Sequence, residues 1–449
     1  MKQKVKADLA ILGAGAAGMM AALCASKRGL RVAVFDPHYS KPNNLAISGG
    51  IFPNAGSYLQ VQAGVVDSPE RWLDDLRTFA PDSINERIAA SVANQMPLVL
   101  NFLIDECNAS IRFLDEIPAP GHSARRFHSL QNSSGHALHA WLRNQVEAQK
   151  SIVLFPDQGV ALIVRDGRGY DLYIEGGERQ LSATHLLLAG GGFGGSPSMV
   201  AEFIPEMTGA IHSGSATNDG SVIALARSWG AALAGMNGYQ GQGHTNPNGR
   251  TRLGMSLPML GAVMLNREAR RFVREDIGPS GLAAHVLAQP EQVALEIFDA
   301  EIEQQLTQHS AYAEARAQGC IIQAGSLNEL AASAGVPQAQ LQVTMREAED
   351  YASARSIDPL GRRTFAKLLQ PPYRASWVTG SLAHTQGGLV TDGSGQVLNE
   401  SGQVIERLFA AGGSAAGLSG GGGDGYLPGN GLSQSFGLAY AAIAAIAGG

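Results

Sequence analysis

The first thirty residues leave this chain the least freedom. An apolar run, Ala7-Asp-Leu-Ala-Ile-Leu12, reads as a buried parallel strand. It ends at Gly13-Ala-Gly15-Ala16-Ala17-Gly18, which opens a small-residue helix reaching Gly29. A second strand, Arg31 to Phe35, ends on Asp36. Strand, glycine turn, helix, strand and acid in this order form a dinucleotide site. Gly13 makes the turn, Gly15 lets a pyrophosphate approach the backbone, and Gly18 lets helix pack on strand. The helix N-terminus at Ala16 and Ala17 carries the negative charge, and Asp36 accepts hydrogen bonds from a ribose.

The other end is equally glycine-rich. The strand Leu408 to Ala411 runs into a loop with ten glycines between Gly412 and Gly431, and a small-residue helix follows from Leu432. A flexible linker seldom joins a buried strand to an apolar helix, so this loop reads as backbone passing close to something. Two more such loops are Asn43-Asn44-Leu-Ala-Ile-Ser48-Gly49-Gly50 and Thr184-His-Leu-Leu-Leu-Ala-Gly190-Gly191-Gly-Phe-Gly-Gly195. A simple NAD site does not require so many distant glycine loops. A long, bent, permanently bound cofactor does, which favours FAD.

With 449 residues, 45% hydrophobic and 16% charged, the chain is long enough for two or three domain equivalents. A net charge of −6 without long charge runs argues against nucleic acid. Cys24, Cys107 and Cys320 are far apart, in no metal- or haem-binding spacing, which predicts no metal site and fits a reducing compartment. The N-terminus, basic through Lys2, Lys4 and Lys6 and then apolar, is explained by the first strand rather than by a signal peptide. No apolar run reads as a membrane span, and a cytoplasmic location is expected.

The ordered set GAGAAG, NNLAISGG, LLLAGGGFGG, TQGG, LFAAGG and GNGL resembles the fumarate reductase/succinate dehydrogenase flavoprotein superfamily, which includes 3-ketosteroid dehydrogenases and L-aspartate oxidases. The resemblance covers nearly the whole chain. It implies an α/β fold: a Rossmann-like FAD-binding domain, split into 1–235 and 379–449, with an inserted α+β capping domain over 236–378. It also implies that Val160 and Ala161 meet the adenine, and that Asp219 and His384 contact FAD. Gly413 stands where many relatives carry a glutamate. Asn430, Gly431 and Leu432 start a helix whose N–H groups would face the flavin's N1/O2 edge. FAD would be non-covalent, since the Asn43–Gly50 loop holds no histidine.

Along the middle, 69–110 reads as mostly helical, with Leu98 to Leu103 as core. Asp115 to Gln131, with His122, Arg125, Arg126 and His128, reads as a solvated loop, with the lining of a substrate entrance as the alternative. Ser151 to Arg165 and Tyr170 to Glu175 read as a small antiparallel sheet. Asn218-Asp-Gly220 caps a helix, and Gln292 to Gln308, Leu327 to Ala334 and Pro337 to Ala354 read as helices.

Fumarate reductases, by the same resemblance, clamp a dicarboxylate with two histidines and an arginine and protonate it with a second arginine. His244 matches the first histidine. The second falls on Ala383, no arginine follows Arg271-Phe-Val-Arg-Glu275, and the last falls on Tyr426. A dicarboxylate would lose charge-assisted bonds worth roughly 1.5–3 kcal/mol each. The remainder is similar to the ketosteroid dehydrogenase branch, in which a tyrosine and a backbone N–H polarise a ketone, a base takes the neighbouring proton and flavin N5 takes hydride. Tyr426 fits the polarising role, while Tyr239 and His244 are candidates for the base. The expectation is an FAD-dependent dehydrogenase of a ketone-bearing, alicyclic or steroid-like small molecule, with an unidentified electron acceptor. The alternatives are an ene-reductase of an unsaturated acid other than fumarate, and a non-catalytic flavoprotein subunit.

Overall fold

A computed structural model describes residues 5–448 apart from 82, 117–120, 132–133, 176–179, 255–256 and 308–309. Lys2, Lys4, Gln308 and part of the Asp115–Gln131 stretch thus lie outside the described residues. The chain forms two compact units. The first comprises Met1–Met199, Gly214–Gly238 and His384–Gly449, and the second Val200–Ser213 and Tyr239–Ala383.

The first unit is built on a parallel sheet. Its strands lie in the order Val404–Ala410, Gln180–Leu188, Val5–Leu12, Val32–Asp36 and Ile152–Pro156, with Gln396–Leu398 antiparallel on the edge. Leu9, Ala10, Ile11, Leu186 and Leu187 are fully buried, as near-continuous apolar runs in a sheet covered on both faces should be. The chain first steps outward on one side of Val5–Leu12 and later returns on the other, through Gln180–Leu188. Ligands bind at the carboxyl ends of strands flanking such a switch point. The strand ends here are Gly13 and Ala189-Gly190-Gly191.

Residues 151–156 belong to this parallel sheet rather than to a small antiparallel one. Phe35 and Phe155 sit directly opposite each other in the parallel register, with rings stacked at 4.4 Å. Only Val160–Arg165 and Tyr170–Ile174 make the antiparallel hairpin, which continues onto Gln180–Leu188. Helix Ala16–Lys27 packs against the last helix, Asn430–Gly448, and Glu86–Asn101 covers the same helix. Of the Leu98–Leu103 patch, Val99, Leu100, Phe102 and Leu103 are buried as expected and Leu98 is 49% exposed, while Val92 and Met96 extend the core face of Glu86–Asn101. The segments Glu86–Glu106 and Asn430–Gly448 are long and apolar enough to cross a membrane, which the sequence pattern had not suggested; about half of each lies buried within the protein.

The second unit holds an antiparallel sheet in which Ala294–Asp299 lies between Val263–Leu265 and the long strand Tyr373–Thr385. Residues 292–308 are therefore not one helix. The apolar run Ala294-Leu-Glu-Ile-Phe-Asp299 is a fully buried central strand, and only Ala300–Leu306 is helical, capped by Asp299. Helices Leu327–Ala334 and Gln338–Ala352 form as the periodicity predicts and bury Leu330, Leu341 and Met345 against this sheet.

Candidate functional site

The site in the first unit is assembled from glycine turns in contact. Gly13 has φ +104°, and a Cβ there would strike the Ala189 backbone; a Cβ at Gly18 would strike the Gly13 carbonyl. At Gly15 a Cβ would meet nothing within 4 Å, so that face is open. The Ala14 amide donates to Asp36 Oδ2 at 2.7 Å, and the His38 amide donates to Oδ1 at 2.8 Å. Asp36 is thereby fixed at the end of its strand, with a lone pair left on each oxygen.

The Asn43–Gly50 loop seats itself beside this turn. Asn43 caps Ala46 through Oδ1 and donates to the Ala14 carbonyl at 3.3 Å. Asn44 Oδ1 accepts from the Ser215 amide at 2.7 Å. Ser48 donates to the Leu45 carbonyl and accepts from Gly50, beyond Gly49. Gly191 has φ +89°, and a Cβ at Gly190 would lie 2.8 Å from Val222. Gly413 abuts the same turn: a Cβ there would lie 2.7 Å from the Gly192 amide. The glutamate that the resemblance would place there would press on this backbone. Asp219 is exposed and accepts from the Ser221 amide at 2.9 Å, just ahead of Gly220, the N-cap of helix Ser221–Ser228. Val160 is half-buried and Ala161 exposed on the hairpin.

The C-terminal loop adds the chemistry. Asn430 is fully buried at the start of the last helix; its Nδ2 donates to Ser419 Oγ at 3.1 Å, while its Oδ1 has no partner among the described residues. Leu432 follows in the same helix, and Gly431 lies against the edge of His384, where a Cβ would come within 3.2 Å of the ring. The His384 and Tyr426 rings meet edge to face at 5.4 Å, and burial pulls the His384 pKa down, so its imidazole is neutral. Tyr426 is 7% exposed. Burial pushes its phenol up to about 12, while the backbone amides of Gly429 and Gly431 face the hydroxyl and oppose that rise. Tyr426 is therefore a protonated donor at neutral pH.

An open face at Gly15, a helix N-terminus beyond it, a fixed carboxylate at Asp36 and an orphaned buried amide oxygen at Asn430 fit a dinucleotide that runs from the Gly13 turn to the last helix. FAD meets those requirements.

In the second unit Tyr239 and His244 share the strand Tyr239–Thr245. Its glycines serve packing: Cβ atoms at Gly241 and Gly243 would each lie 2.6 Å from the helix Pro279–Leu287. Tyr239 is 2% exposed. His244 Nδ1 lies 2.9 Å from Glu296 Oε1, though off hydrogen-bond alignment, and both side chains are buried. Arg271 is held by Glu275 at 2.7 Å and by Asp358 at 2.9 Å, so the Arg271–Glu275 motif is an internal ion cluster here.

The Asp115–Gln131 stretch is exposed at Asp115, Glu116, Gly121, Ser123 and Arg125, as a solvated loop should be, but from Arg126 to Leu130 it is buried. Phe127–Leu130 is a buried strand, and Arg126, with its side chain fully buried, pairs with Asp67 at 3.0 Å and Asp75 at 2.6 Å. A guanidinium buried alone would be costly, and the two carboxylates offset that cost. Glu296 and His122 also stand out, for reasons of distance that no local sequence pattern carries.

The FAD binding domain family matches residues 8–433. The chain is 26% identical over 418 residues to a probable fumarate reductase, Ifc3, of Shewanella frigidimarina, covering 91% of this chain and 70% of that one. It is 24% identical over 502 residues to a 4-oxocyclohexanecarboxylate 2-dehydrogenase of Sinomonas cyclohexanicum, covering 90% and 87%. The fold matches 3-ketosteroid-Δ4-(5α)-dehydrogenase from Rhodococcus jostii RHA1 with a TM-score of 0.78 at 23% identity, over 99% of this chain and 98% of that one. With its glycine turns, its acid at strand end and this match along nearly its whole length, the chain belongs to the FAD binding domain family and is an FAD-dependent oxidoreductase acting on CH–CH bonds.

Proposed function

We propose that this oxidoreductase desaturates a ketone-bearing alicyclic substrate next to its carbonyl. The observation that carries the reading is Tyr426: a buried, neutral phenol whose oxygen faces two backbone amides, in a loop where a dicarboxylate enzyme would place an arginine. FAD, when bound, supplies the hydride-accepting centre. Gly13, Gly15 and Gly18 would admit its pyrophosphate, with Asp36 at the ribose and Asn430 to Leu432 at the flavin.

Tyr426 donates its O–H to the ketone oxygen. As a base takes the proton of the neighbouring C–H bond, charge gathers on that oxygen, and the donor bond strengthens where water is excluded. The amides of Gly429 and Gly431 stabilise the partial negative charge that Tyr426 Oη acquires as it donates. The neutral His384 places no charge beside the Tyr426 ring. The relative from Sinomonas is named for a dehydrogenation of a cyclic keto acid, which agrees with this chemistry.

Anaerobic mixing of the oxidised holoprotein with 4-oxocyclohexanecarboxylate and a panel of cyclic and steroidal ketones tests the reading. A ketone should bleach the flavin absorbance, and Tyr426→Phe should slow bleaching by about 10²–10³. Survival of the rate within about threefold in that variant would remove the role of Tyr426. Reoxidation of the reduced flavin by an enoate, with ketones inert, would establish the ene-reductase instead.

A further inference from the structure

His122 stands on the Asp115–Gln131 stretch, 306 residues before Pro428 in the chain, and meets it in space. Its Nε2 lies 3.1 Å from the Pro428 carbonyl oxygen, and its Nδ1 lies 3.3 Å from Arg126 Nη1. A guanidinium only donates and a carbonyl only accepts. One tautomer satisfies both: Nδ1 accepts from Arg126, and Nε2–H donates to Pro428. Burial, then the Arg126 charge, lowers the imidazole pKa to about 4, which keeps that neutral form at physiological pH. Arg126 is in turn held by Asp67 on two nitrogens and by Asp75 on a third.

The Pro428–Gly429 peptide has two ends. Its carbonyl is held by His122, and its N–H is one of the two amides that face the Tyr426 hydroxyl. In a trans peptide the two point in opposite directions, so holding one aims the other. Gly429 has φ +87°, and a Cβ there would lie 2.6 Å from Pro53 and 3.2 Å from Phe127, so the turn is also clamped from behind. A carbonyl that accepts a hydrogen bond polarises its own peptide and makes the N–H a better donor.

We propose that His122 is a positioning residue for Tyr426: it fixes the Pro428–Gly429 peptide so that the Gly429 amide is delivered to the phenol oxygen, and so couples the carbonyl-polarising group to the buried Arg126–Asp67–Asp75 cluster. This rests on the reading of Tyr426 given above. Nothing in the resembled family's motif supplies it, since His122 lies outside every glycine loop.

The experiment compares wild type, His122→Ala, His122→Gln and Tyr426→Phe as holoproteins. The carbonyl stretch of bound, ¹³C-carbonyl 4-oxocyclohexanecarboxylate is read by infrared difference spectroscopy beside kcat and KM. Wild type should shift the stretch below its value in water, and Tyr426→Phe should abolish the shift. His122→Ala should lose about half of it and lower kcat about tenfold, the size of one neutral hydrogen bond, with FAD content unchanged. KM should stay within about twofold, as for an interaction that strengthens only as charge develops. His122→Gln, which keeps an N–H donor of similar reach, should recover most of both. A His122→Ala protein with the wild-type shift and kcat overturns the proposal. So does a loss of FAD or fold in both His122 variants, which would make His122 a buttress of the loop only. A wild type that shifts no carbonyl refutes the Tyr426 reading itself, and the His122 role falls with it.

Discussion

Replacing Arg126 by methionine removes a charge from the interior and leaves two carboxylates behind. The arginine side chain is fully buried, as is that of Asp67, and Asp75 is 11% exposed. Arg126 makes a bidentate pair with Asp67, both contacts at 3.0 Å, and a third bond to Asp75 at 2.6 Å. Without it, Asp67 keeps Gln60 Nε2 at 2.9 Å and Asp75 keeps the Ser123 amide at 2.9 Å, neither of which carries charge. Breaking a buried pair from one side costs about 3–5 kcal/mol, a factor of about 10²–10³ or more in the unfolding equilibrium. Urea unfolding of the holoprotein, followed by flavin fluorescence as FAD is released, measures it. The decisive comparison adds Asp67→Asn to the methionine variant. If uncompensated charge is the cause, this second substitution restores a large share of the loss. The reasoning fails if Arg126→Met costs less than about 1 kcal/mol, or if Asp67→Asn adds to the loss instead of reducing it.

Other predictions follow from burial and space. His128 is fully buried between Ser57 and the Arg126 carbonyl, and burial pushes its pKa down to about 4 from an ordinary value near 6.5. A base with a depressed folded pKa contributes stability above its unfolded pKa, lost as pH falls from about 6.5 towards 4; His128→Gln should flatten that part of the stability–pH curve in thermal unfolding. His244→Ala strands a buried Glu296 and should lower stability by about 1–3 kcal/mol, whereas the paired replacement of both by leucine should cost less than the sum of the two single changes in the same thermal assay. Gly13→Ala forces a side chain into the Ala189 backbone at φ +104°, and the purified protein should carry little FAD by absorbance at 450 nm, about the flavin maximum.

The sequence was most legible where local chemistry and tertiary packing agree. Gly13 and Gly18 are demanded by the strand, the turn and the helix at once, so the first unit's opening could be read from its letters. The last strand and helix were legible for the same reason. The run from Ala294 to Asp299 was not, because a short apolar segment suits a buried strand and a buried helix equally, and pairing with Tyr373–Thr385 decides it. The stretch around Arg126 is polar in its letters and gives no local sign of burial; its partners Asp67 and Asp75 lie more than fifty residues away. Tyr426 could be singled out as a position, but the two amides behind it depend on a turn geometry that no spacing rule encodes.

The three glycines of the first turn do not answer to the same master. At Gly13 and Gly18 a methyl group would collide with the protein's own backbone, so the polypeptide itself forbids it. At Gly15 the methyl would meet nothing, and the residue's backbone, at φ −77° and ψ −165°, is one any amino acid adopts. The demand for glycine there comes from outside the chain. Folding and loading can therefore be separated by one methyl group: an alanine at position 15 gives a route to a chain that holds its architecture and refuses its cofactor.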